Sequence, residues 1–138
     1  MKSKLKSYQI GNFLSALTLL VSVSSLYELI NLKDDAIAIR YYSSTLWIIA
    51  SVSLFINSRR FRFNAQNSKK YFLYSCYLSL LIVLIGMVAS LSYWNRIYGF
   101  NIEILSTQLI RHSLNSIPFL WCIQKIIKES QINQVDNL

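Results

Sequence analysis

The side chains best suited to chemistry gather near the end of the chain. At about 100° per residue, Thr107, Gln108, Arg111, Asn115 and Cys122 fall on one helical face, with His112 on its flank. Ile110, Leu114, Ile117, Leu120 and Trp121 take the opposite side. A guanidinium and an imidazole among amides and a hydroxyl could line a polar path, with Arg111 as an anion-binding or gating element and His112 as a proton-responsive neighbour. The same face could serve packing. Arg111 lies about 12 Å along the helix from Glu103 at 1.5 Å per residue, and an ion pair with Glu28 would neutralise both charges. A third arrangement lays 103–116 along a membrane interface, but it strands Lys125 and Lys128 on the opposite side from the other lysines. Pro118 removes one backbone donor and can kink the segment.

Other chemistries find no support. The chain has one His and two Cys, and Cys76 and Cys122 are too far apart for a Cys-x-x-Cys pair or a metal cluster. Asp34 and Asp35 adjoin Lys33 in a polar stretch that reads as a solvated turn. There is no glycine-rich phosphate loop and no nucleophile elbow. The expectation is a protein without catalysis, cofactor or metal. An enzyme acting on lipid would need a nucleophile or metal near a basic loop, and no candidate for either is visible.

The elements that must position these residues are long apolar runs. Three are free of charge, Ser7–Tyr27, 41–58 and 71–95; a fourth, 104–124, has similar length but contains Arg111 and His112. About 20 apolar residues cross a hydrocarbon core of roughly 30 Å, and backbone amides in lipid must be satisfied within the segment, so such runs are helices. Hydrophobic residues make up 54% of the 138 and charged residues only 14%, against about 25% in soluble domains.

Charge distribution sets the orientation. The net charge of +8 invites a nucleic-acid reading, but the basic residues follow alternate loops instead. Lys2, Lys4, Lys6, Arg59, Arg60, Arg62, Lys69, Lys70, Lys125 and Lys128 share one side; Lys33, Arg40 and Arg96 take the other. The positive-inside rule then puts both termini in the cytoplasm. Tyr27, Tyr41, Tyr42, Tyr93, Trp94 and Tyr98 mark the outer interface, and Tyr8, Phe61, Phe63, Tyr71, Tyr74 and Trp121 the inner one. The first run is too long for a signal-peptide core and is read as a retained helix.

The predicted fold is all-α: an integral membrane four-helix bundle, up-down-up-down, forming a single transmembrane domain over 1–138. Its helices are expected at about 10–30, 42–57, 71–94 and 102–128, with a frayed polar tail over 129–138. Gly11, Ser15, Thr18, Ser22 and Ser25 form a small-residue stripe, as do Ser75 and Ser79, then Gly86 and Ser90, in the third helix. Such stripes allow close backbone approach, within the chain or between chains. Arg59, Arg60, Arg62, Lys69 and Lys70 form a topogenic loop that can also attract lipid headgroups. The expected partners are membrane lipid and either further copies of the chain or another membrane protein, with no nucleic acid. The expected location is a bacterial inner (cytoplasmic) membrane. Function is expected through association, as an accessory subunit, an immunity-type protein or a homo-oligomer. The alternative is an oligomeric pore or small transporter lined by the fourth helix.

Overall fold

The computed structural model describes the backbone of residues 6–30, 37–63 and 67–135, and their side chains except those of 28–30, 37–42, 130 and 132–135. Every regular element among them is helical: α1 (Ser7–Ile30), α2 (Ile37–Arg62), α3 (Ser68–Tyr98) and α4 (Ile102–Val135). The helices outrun the apolar segments because their flanks are themselves good helix ends. Arg59, Arg60 and Arg62 stand in the last turn of α2, where cations oppose the negative end of the helix dipole. Asn101 caps α4, its side-chain oxygen accepting from the Glu103 and Ile104 amides at 2.9 and 3.4 Å. Between α3 and α4 the chain turns at Gly99, whose φ of 68° and ψ of −169° suit glycine alone.

α4 runs to Val135, beyond the end expected near 128, and Glu129 is tied to the first turn of α1: the Ser7 amide and hydroxyl both donate to its carboxylate, at 2.8 and 2.7 Å. Residues 136–138 lie outside the described residues.

Adjacent helices run antiparallel in a fixed register. Asn12, Thr18 and Ser25 of α1 meet Ser58, Ser51 and Ser44 of α2, so residue numbers fall on one helix as they rise on the other. The same holds where Gly86 and Ser90 of α3 face His112 and Gln108 of α4. α1 packs extensively on α2 and much less on α4. The apolar core sits at the end carrying the basic loop, in a cluster built from Ile10, Leu14, Leu54, Phe72, Phe119 and Ile126 with both cysteines. Two contacts cross its middle: Trp47 stacks on Phe119 with ring centres 5.9 Å apart, and Phe72 presses on Gly11.

Polarity is distributed inside out. Ser15, Ser22, Ser44, Ser51, Ser58, Ser75 and Ser79 are buried, whereas large apolar side chains cover the outside, Phe13 at 67% and Leu20 at 66% exposed among them. The buried hydroxyls are satisfied, by each other or by carbonyls a turn back: Thr18 and Ser51 lie 2.6 Å apart, Asn57 donates to Ser75 at 2.7 Å, and Ser22 donates to the Thr18 carbonyl at 2.6 Å. No buried side-chain N or O lacks a partner among the described residues. Two helices are long and apolar enough to cross a membrane, α1 over Ser7–Tyr27 and α3 over Ser68–Tyr98.

Candidate functional site

The polar face of α4 divides on folding. Gln108 is buried, its side-chain oxygen accepting from the Ser90 hydroxyl of α3 at 3.0 Å. His112 is half-buried beside Gly86, where a methyl group in place of the glycine hydrogen would stand 3.7 Å from the ring. Cys122 is fully enclosed, its thiol 3.9 Å from the Ser7 carbonyl. Thr107, Arg111 and Asn115 are exposed. Thr107 spends its hydroxyl on the Glu103 carbonyl at 2.9 Å. Gln108 and His112 meet α3 and Cys122 meets the first turn of α1, because α3 and α4 run alongside each other while α1 meets α4 at the Ser7 end. The expected Glu28–Arg111 pair falls outside the described side chains, since that of Glu28 is not among them.

The small-residue stripes are filled from within the chain. Gly11, Ser15 and Ser22 are buried, and Thr18 and Ser25 hydrogen-bond Ser51 and Ser44 of α2. Gly11 is a point of closest approach: a Cβ there would stand 2.6 Å from the Phe72 ring and 2.9 Å from the Ser58 Cβ. Gly86 and Ser90 face α4. The stripe of α1 therefore meets α2 because the first two helices form an antiparallel hairpin that brings their serines level.

At the opposite end the basic side chains lie over aromatic rings. Arg59 sits 4.7 Å from the Phe55 ring centre, Arg60 is 5.8 Å from that of Tyr71, and Lys70 is 5.7 Å from that of Tyr74. Arg62 lies between Tyr8 and Phe63 at 5.4 and 5.5 Å. These contacts gather Arg59, Arg60, Arg62 and Lys70 into a collar of cations on aromatic rings. Cys76 and Cys122 are free and buried in the core above this collar. No three His, Cys, Asp or Glu side chains converge on a point among the described residues.

Three participants escape sequence reasoning: Glu129, Asn12 and Asn57. Each is a polar residue whose partner lies on another helix, and the Ser7–Glu129 contact spans almost the whole chain. Only the position of Asn12 and Asn57 at the same end of an antiparallel hairpin offers a signal. The chain matches no protein-family profile, no curated protein and no solved structure.

Proposed function

We propose that this chain is a small integral membrane protein that crosses the bilayer four times, with both termini on the cytoplasmic side, and acts by association rather than catalysis. The observation that carries this reading is the inside-out polarity. In water an exterior of Phe13, Leu17, Leu20, Ile49, Leu81 and Leu84 would drive aggregation, while a serine-lined interior would offer little compensating burial. In lipid both become favourable, because apolar exteriors are solvated and small hydroxyl-bearing interfaces permit close helix contact.

The same observation favours membrane spans for α2 and α4. Hydropathy averages over every face of a helix, but lipid meets only the outer one. Leu46, Ile49, Val52 and Ile56 cover the outside of α2 while its serines turn inward, and Ile110, Leu114, Ile117 and Leu120 cover α4. The aromatic-backed cations Arg59, Arg60, Arg62 and Lys70, with Lys69 beside them, fit the cytoplasmic headgroup layer by the positive-inside rule.

Within this frame the role is assembly: an accessory subunit, an immunity-type protein, or a protomer of a homo-oligomer. The pore or transporter reading rests on the exposure of Arg111 and Asn115, which could face a shared water path in a ring of copies. Alkaline extraction of membranes, combined with reporters fused at each end, tests the membrane reading. Retention in the pellet with both reporters cytoplasmic is the expected result; release into the supernatant sinks it. Mass in nanodiscs and the reactivity of N115C toward water-soluble thiol reagents then separate assembly from conduction.

A further inference from the structure

Among the described residues, the contacts between α1 and α4 gather at the Ser7 end. Their hydrogen bonds connect Ser7 with Glu129 and Cys122, and their shared core stops at Leu14 and Phe119. Continued outward at helical spacing, the face of α1 bearing Ile10 and Leu14 carries Leu17 and Val21, and these are 49% and 58% exposed. The matching face of α4, bearing Phe119 and Cys122, continues through Asn115 and Arg111, and both are exposed. The outer halves of α1 and α4 thus border an open notch, apolar on one side and cationic on the other. No ion pair or hydrogen bond joins Arg111 to a described side chain, and that of Glu28 is not among them.

We propose that this notch receives a transmembrane helix of a partner protein, bearing a carboxylate level with Arg111. The proposal rests on the membrane reading above and names the partner's chemistry. A charge within a bilayer is costly and is normally paired, so Arg111 calls for an anion. A second copy docking through the same face about a twofold axis would set one Arg111 against another, and like charges repel. A lipid phosphate could meet Arg111, whose long side chain can reach toward the headgroups. It cannot serve Asn115, whose short amide stands one turn, about 6 Å, deeper. A helix in the notch can satisfy both: a carboxylate for Arg111, a backbone or side-chain polar group for Asn115, and apolar side chains against Leu17 and Val21.

The test uses the full chain in phosphatidylcholine nanodiscs, labelled at its carboxyl end. Energy transfer reads binding of a labelled leucine-rich transmembrane peptide that carries one Glu at the level of Arg111, or Gln there instead. The Glu peptide is expected to bind about tenfold more tightly than the Gln peptide, as for one intramembrane polar contact. R111Q should abolish that preference and R111K retain much of it. Equal binding of the two peptides, or a preference that survives R111Q, overturns the proposal. So does displacement of the Glu peptide by phosphatidylglycerol, which would make the occupant a lipid. A gain in peptide affinity in E28Q would show that Glu28 fills the notch from within, and also overturns it. A peptide-free chain whose N115C thiol reacts with water-soluble reagents across a ring-shaped oligomer would replace the proposal with a water path. Failure of the membrane reading is separate, because such a chain would leave the membrane on alkaline extraction before any peptide was added.

Discussion

Gly11 has Phe72 on one side and Ser58 on the other, closer than any side-chain carbon tolerates. Gly11→Ala should therefore force apart three helices at once and cost about 1–3 kcal/mol, the range for overpacking a filled core. Thermal unfolding in detergent, followed by circular dichroism, reads the loss; an unchanged midpoint would mean that the Phe72 ring swings aside freely. Glu129 is the second residue on which much depends, since it accepts two hydrogen bonds from Ser7. Hydrogen bonds to charged groups contribute about 1.5–3 kcal/mol each, so Glu129→Ala should lower the same midpoint, and Glu129→Gln less so. The position of Gly11 on a small-residue stripe is legible in the sequence. Its neighbour Phe72 is not, and neither is Ser7 for Glu129, because helical spacing says which residues share a face and nothing about which distant face arrives there.

At the scale of the helices, the α1–α2 seam is held by hydroxyl pairs rather than by apolar bulk. A double-mutant cycle over Thr18→Val and Ser51→Ala should return a coupling of about 0.6 kcal/mol, the average for interhelical hydrogen bonds in membrane bundles. A coupling near zero would assign the seam to close backbone packing alone. Asn101→Ala should loosen the start of α4 by about 1 kcal/mol through loss of its cap, with faster amide exchange at Glu103 and Ile104 as the local readout. The four helices and their order are readable from the alternation of apolar and charged stretches. Their ends are not, because hydropathy marks what an apolar solvent tolerates, whereas a helix continues as long as backbone hydrogen bonds and caps support it. Hence α2 runs on through Arg59, Arg60 and Arg62, and α4 continues beyond Lys128. The polar face of α4 was partly legible for the same reason. Its residues are set by helical spacing, but Gln108 is buried because Ser90 of α3 arrives beside it, which spacing within α4 does not reveal.

For the molecule as a whole, the proposed membrane orientation rests on the cationic collar. Replacing Arg59, Arg60, Arg62, Lys69 and Lys70 together with Gln should yield mixed topology, detected as a fraction of chains whose carboxyl-terminal reporter faces outward. Retention of a single topology would move the orienting signal to Lys2, Lys4 and Lys6 and release the collar for another role.

The joint between Ser7 and Glu129 also sets an order in time. The cap of the first helix is supplied by a residue 122 positions later, so α1 is made long before the group that secures its first turn exists. At about 5–20 residues per second, some 6–24 s separate the two during synthesis. Throughout that interval the nascent chain lacks the carboxylate that ties its first helix to its last. A chain that stops short of Glu129 keeps the core contacts of Phe119 and Cys122 but leaves the Ser7 amide and hydroxyl without their carboxylate.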